Sequence, residues 1–139
     1  PSLISSKPED HWFDRKSIRI KPDALADAMI GFANADGGTL LVGVEQDGTI
    51  VGVGGDPGHL NSLLQAALQF TTPPVRRAIG YITCSNGAGE PVEVLAIEVP
   101  PSDRVHCNKR EEVFLRVGDQ NRKLGFDAVQ ELLYDKGQE

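Results

Sequence analysis

Ala33-Asn34-Ala35-Asp36-Gly37-Gly38-Thr39-Leu40-Leu41-Val42-Gly43-Val44 is the stretch on which the fold turns, because its apolar period changes in the middle. Upstream, Leu25, Met29 and Phe32, with Ala28 and Ala33, recur at helical spacing and form one apolar stripe. Downstream, Thr39 to Val44 is almost continuously apolar, which suits a strand buried on both faces. Gly37-Gly38 lies between them because glycine readily takes the left-handed conformation that closes a helix. Pro22 opens the helix, where a missing N–H costs nothing, and Asp23 sits near the positive end of its dipole.

Reading outward, Gln46-Asp47-Gly48 is a hairpin turn, and Thr49 to Val53 is expected to return as its partner strand. A Gly- and Pro-rich loop then leads into a helix from about His59 to Phe70, stopped by Pro73-Pro74. Two strands follow, about Arg77 to Thr83 and Val92 to Val99, joined through Asn86-Gly87. Glu112 to Val117 reads as a short strand, Gly118 to Lys123 as a polar turn, and Phe126 to Tyr134 as a last helix. On the N-terminal side, Trp12 to Lys21 alternates as a strand. That register turns Arg15, Arg19 and Lys21 to solvent, with Trp12, Ile18 and Ile20 inward. The order β-α-β-β-α-β-β-β-α predicts an α/β (α+β) domain with a single mixed sheet and about three helices packed against it. Residues 1–8 form a lead-in, 9–134 the domain and 135–139 a tail.

With 139 residues, 40% of them hydrophobic and 24% charged, the chain suits one soluble globular domain. No stretch nears the roughly 18 apolar residues of a membrane span, and the first residues lack the order of a signal peptide. Cys84 and Cys107 have no zinc-knuckle spacing and read as reduced core thiols, which points to the cytoplasm. The formal net charge of -6 argues against a general nucleic-acid binder unless the 14 Lys and Arg cluster.

Neither glycine-rich stretch matches a phosphate-binding loop: the Lys-Ser/Thr pair of a Walker loop and the G-x-G-x-x-G fingerprint are both missing. His11, His59 and His106 show no ligand spacing, and no nucleophile-histidine context is present. The carboxylates say more. Asp14 and Lys16 share a strand face, while Glu9 and Glu45 could join them only if the chain brings them round. Such a group could hold Mg²⁺ or Mn²⁺, with Lys16 stabilising charge on a phosphate. Cations fall in two clusters, Arg15-Lys16-Arg19-Lys21 and Arg104 to Lys123. Within the second, Arg116 lies in an apolar strand and is either an interior ion-pair partner or a phosphate contact.

Taken together, Asp14-Arg15-Lys16, the Ala33–Val44 run, Asp47-Gly48-Thr49-Ile50-Val51-Gly52, Ile97-Glu98-Val99-Pro100 and Phe114-Leu115-Arg116-Val117-Gly118 resemble the Schlafen AlbA-like DNA-binding domain family over residues 9–134. The resemblance implies a module that binds DNA or RNA, often joined to ATP-binding or winged-helix regions in larger bacterial regulatory proteins, with a role in transcription regulation. Arg15, Lys16, Arg19, Lys21, Arg116, Arg122 and Lys123 are the expected nucleic-acid contacts. It also implies an alternative, a metal-dependent ribonuclease with Glu9, Asp14 and Glu45 as ligands of Mg²⁺ or Mn²⁺ and as catalytic residues with Lys16. Here Glu9 and Asp14 match an acid-x4-acid pattern, and Asp14-Arg15-Lys16 stands where the family usually has Glu-Phe-Lys. A third reading is a protein-interaction or oligomerisation domain, with a homodimer as the simplest partner; no membrane partner is expected.

Overall fold

The structure, a computed structural model, describes residues 7–137, so the outer parts of the expected lead-in and tail, residues 1–6 and 138–139, lie outside it. Among the described residues the elements run β1 (Phe13–Lys16), α1 (Pro22–Asn34), β2 (Gly38–Val42), α2 (Pro57–Leu64), α3 (Ala66–Phe70), β3 (Ala78–Ser85), β4 (Pro91–Val99), β5 (Phe114–Val117), β6 (Gln120–Lys123) and α4 (Phe126–Asp135). The α+β class is as expected, with the strands distributed over two sheets. A four-stranded sheet has the order β1-β2-β4-β3, and β5-β6 is a separate hairpin. β1 and β2 are parallel, which requires the α1 crossover, whereas β4 runs antiparallel to both of its neighbours.

β2 is covered on both faces. Leu40 and Val42 face the main core with Leu25, Met29, Ile30 and Phe32 of α1 and Leu95 and Ile97 of β4. Leu41 faces a second cluster with Phe13, Val44, Ile50, Cys84 and Val94. A strand with two buried faces has no reason to alternate, and this accounts for the unbroken apolar run.

The hairpin β5-β6 is fastened to α1 through two asparagines. Asn34 Nδ2 donates to His106 O (3.0 Å) and Phe114 O (2.9 Å), while its Oδ1 accepts from His106 N (2.8 Å). Asn121 Nδ2 donates to Asp27 O, and Gly31 makes room for that amide, since a Cβ there would lie 1.7 Å from Asn121 Oδ1. The Asn of the Ala33-Asn34 pair is therefore a buried fastener.

Several expected elements end sooner or run differently. β1 stops at Lys16 because the Ser17 hydroxyl accepts from Arg19 N (3.1 Å) and Ser17 O from Ile20 N (3.0 Å), which bends the chain. The predicted register consequently fails in part. Trp12 is exposed and Arg15 is 9% exposed, although Arg19 and Lys21 face solvent and Ile18 and Ile20 pack partly against the core. The strand expected over Thr49 to Val53 reduces to one bridge, Val44 to Ile50, since Gly52 takes a φ of 81° and folds back to bond Gly43. The long helix breaks at Gln65 into α2 and α3. Residues 120–123, expected in a turn, pair with β5 across Gly118, whose φ is 61°.

Of the glycine pair, Gly37 carries the left-handed conformation (φ 79°), and its N–H caps α1 at Phe32 O. Gly38 has another constraint: a Cβ there would sit 2.3 Å from the buried Phe32 ring. Gly37→Ala should cost roughly 1–3 kcal/mol through backbone strain, and Gly38→Val should lower the melting temperature through the clash. Thermal denaturation of both variants checks this; an unchanged midpoint for either would contradict its stated constraint.

Candidate functional site

The site grows from β1, where Asp14 lies at the boundary between the sheet and the β5-β6 hairpin. Arg116 of β5 is 2% exposed, and its guanidinium meets Asp14 Oδ2 through Nη1 at 2.9 Å. Its remaining donors go to Asp10 O, Phe13 O and Gly118 O, and the Phe32 ring lies 4.9 Å beneath. A planar fork with several fixed acceptors is a use for which arginine suits better than lysine. Of the two roles open to Arg116, the structure selects the interior ion pair, and the expected phosphate contact is corrected. Burial and committed donors leave nothing to offer a ligand.

Asp14 Oδ2 also receives Lys16 Nζ at 3.2 Å. On its other side the carboxyl of Glu9 hydrogen-bonds to it, while Glu9 Oε2 accepts from Arg15 N at 3.1 Å. Burial pushes Asp14 upward, but the Glu9 hydrogen bond and the charges of Lys16 and Arg116 outweigh it and hold Asp14 below the usual carboxylate range. Glu9 moves the other way, raised by burial and by the bond and repulsion from Asp14. The pair is thus split, with Asp14 the stronger acid and Glu9 the weaker.

Glu45 has partners of its own, although its Oε2 is buried without one. Its Oε1 meets Arg19 Nη2 at 3.2 Å, and it flanks the turn at Asp47-Gly48. Among the described residues no group of three or more His, Cys, Asp or Glu side chains is placed to hold a metal ion. The donor chemistry agrees. A divalent cation needs oxygens with negative charge to spare, yet Asp14 Oδ2 already accepts from two cations and Glu9 is bonded to Asp14. Of the expected ligand set, Asp14 and Glu9 are engaged with each other and with cations, while Glu45 Oε2 is buried without a hydrogen-bond partner.

Arg15 is a second correction. Its guanidinium donates to Lys7 O and Gln46 O (3.4 Å), and Gln46 Nε2 returns a bond to Arg15 O (2.9 Å), so the side chain braces the N-terminal segment against the turn. Arg19, Lys21, Arg122 and Lys123 remain exposed. Lys123 is drawn to a residue that the sequence reading passed over, Glu112. Its Oε2 holds Lys123 Nζ at 2.9 Å and its Oε1 holds Arg110 Nε at 3.3 Å. Hydrogen bonds from Asn108 and then Lys123 pull Glu112 down to about 2. Asn108 is the hub, since its Nδ2 also donates to Asp27 Oδ1 and its Oδ1 accepts from Arg110 N and Glu112 N. Only the crowding of charged residues between 109 and 112 could have hinted at this cluster.

Two outcomes follow from the interior charges. Arg116→Ala should destabilise the fold by about 3–5 kcal/mol, because it leaves Asp14 buried with its main partner gone. Asp14→Asn in the same chain should recover part of the loss, as read by urea denaturation. Glu9 gives a pH signature of known sign. Its folded pKa lies above the unfolded one, so the folded state binds more protons and stability falls as pH rises through that window. Glu9→Gln cannot titrate, so its stability relative to the parent should grow as pH rises from about 4. A pH-independent difference in denaturation midpoint would contradict the upward shift of Glu9.

Comparison with known proteins adds three findings. A crystal structure of the DIP2311 protein from Corynebacterium diphtheriae superposes with a TM-score of 0.62 at 22% identity, covering 91% of this chain. The chain spans 27% of that protein's length, and the likeness concerns the fold alone. No curated protein matches the sequence. The family model described as Schlafen, AlbA_2 matches residues 9–125, from Glu9 through the whole β5-β6 hairpin, and the chain belongs to that family.

Proposed function

We propose that this domain is a nucleic-acid-binding module that grips the phosphate backbone and does no chemistry of its own. The observation that carries the reading is the division of the candidate cations. Arg15 and Arg116 are consumed inside the fold, whereas Arg19, Lys21, Arg122 and Lys123 stand in solvent, with Arg110 held beside Lys123 by Glu112. Exposed guanidinium and ammonium groups on short, well-anchored elements can neutralise phosphates and release their counterions, which is the main source of sequence-independent affinity. The net charge of -6 confines binding to such a patch. Family membership supports an association with nucleic acid in general terms. The ribonuclease reading would require a metal on Glu9, Asp14 and Glu45, and the two cations already on Asp14 Oδ2 weigh against it.

Titration with duplex DNA, single-stranded DNA and tRNA across salt tests this directly. Affinity should fall with a log–log slope of about 0.7–0.9 per phosphate contact. Replacing Arg122 and Lys123 together by Ala should flatten that slope by about two contacts. Failure to bind any of the three probes favours the protein-interaction reading instead. Cleavage of tRNA in added Mn²⁺ that disappears in Asp14→Asn overturns the binding-only reading.

A further inference from the structure

The two edges of the four-stranded sheet are treated in opposite ways. Along β1 the main chain is occupied by side chains: Glu9 takes Arg15 N, Gln46 takes Arg15 O and Arg116 takes Phe13 O. β3, at the far edge, is twice as long and has no such guards. Its eight residues, Ala78-Ile79-Gly80-Tyr81-Ile82-Thr83-Cys84-Ser85, include no charge and no proline. Among the described residues, no backbone hydrogen bond reaches its outer edge. Ile79 (39% exposed) and Tyr81 (47%) stand on the helix-covered face, and Ile82 (37%) stands on the other. Proteins usually blunt such an edge with lysine, proline, a bulge or brevity, and an open neutral edge with apolar side chains on both faces accepts another strand.

The ends of β3 indicate which strand. Exposed Arg76 and Arg77 precede it, and Arg77 is braced at that end by Leu64 O at 2.9 Å. At the opposite end lie Glu90, whose carboxylate accepts from Asn86 Nδ2 at 3.2 Å, and Glu93, bonded to Thr83 Oγ1. The strand itself is neutral. Beside its start Arg76 and Arg77 outnumber Glu98, which lies opposite Ala78 on β4, and beside its finish stand Glu90 and Glu93, so the flanking charge runs from positive to negative. An antiparallel copy of itself brings each Arg pair to the other's acidic end, whereas a parallel copy would set arginine beside arginine.

We infer that β3 is a homodimerisation edge, on which a second copy of this chain adds its own β3 antiparallel about a two-fold axis near Tyr81, continuing the sheet to eight strands. In that register Arg76 lies opposite Asn86 of the second copy, within reach of the Glu90 held there. The area covered by one strand pairing falls at the low end for specific interfaces, so a reversible monomer–dimer equilibrium is expected.

Sedimentation equilibrium on the full chain, from micromolar to near-millimolar concentration, reads the association. The parent chain should dimerise. Ile82→Lys, at a position already open to solvent, should weaken the dimer at least tenfold. Arg76→Glu with Arg77→Glu should weaken it comparably, and adding Glu90→Arg with Glu93→Arg should restore it. The charge swap keeps the test valid if Ile82→Lys fails to fold, as judged by circular dichroism. Hydrogen exchange of the Ile79 to Thr83 amides should slow as the dimer forms. A parent chain that stays monomeric throughout, or a dimer indifferent to both sets of substitutions, overturns the inference. So does a monomer whose β3 amides are already protected, because another segment then covers the edge.

Discussion

A buried ion pair between residues 102 positions apart, Asp14 and Arg116 at 2.9 Å, is the constraint on which the rest of this domain depends. Two charges removed from water must satisfy one another and everything around them, since each alone would be costly to bury. Here Arg116 reaches across the Phe32 ring of α1 and bonds to the main chain at Asp10, ahead of β1, and at Phe13, its first residue. That single side chain binds the outer edge of the sheet, the central helix and the distal hairpin into one body. Asn34 and Asn121 reinforce the union with neutral hydrogen bonds along the same helix.

The same pair governs the chemistry that remains possible. The Glu9 hydrogen bond and the charges of Lys16 and Arg116 hold Asp14 below the usual carboxylate range, while burial and Asp14 push Glu9 upward. Asp14 serves the fold as an anchor for Lys16 and Arg116, and Glu9 holds the Arg15 main chain. The cations the interior did not claim are Arg19, Lys21, Arg110, Arg122 and Lys123, of which Arg19 pairs with Glu45 and Arg110 and Lys123 with Glu112. An acidic chain can therefore present a local basic surface without contradiction, because the average charge says nothing about its distribution.

The sheet carries the same asymmetry in its edges. β1 is closed by Glu9, Gln46 and Arg116, two of which also hold or flank Asp14. β3 is left long, uncharged and open. The face of the domain that gathers charged side chains and the edge that exposes apolar ones are thus separated by the width of the sheet.

What the amino-acid sequence determined by itself was local. Helix α1, strand β2 and the β3-β4 hairpin were legible because an apolar stripe, an unbroken apolar run and an Asn-Gly turn each carry their geometry in neighbouring residues. Glu9 lies out of phase with Asp14 along a strand and meets it only because the chain bends between them. Three features were decided elsewhere. The Ser17 hydroxyl ended β1 by competing for a backbone N–H, the Gly52 backbone turned the second hairpin away from strand pairing, and polar β6 became a strand only by finding β5. The fate of each charge was decided last. Arg15, Arg19 and Arg116 are alike as residues, yet one braces a loop, one stands in solvent and one lies in the core. Only tertiary structure could separate them, because the energy of a charge depends on which partners and how much water the whole fold leaves around it.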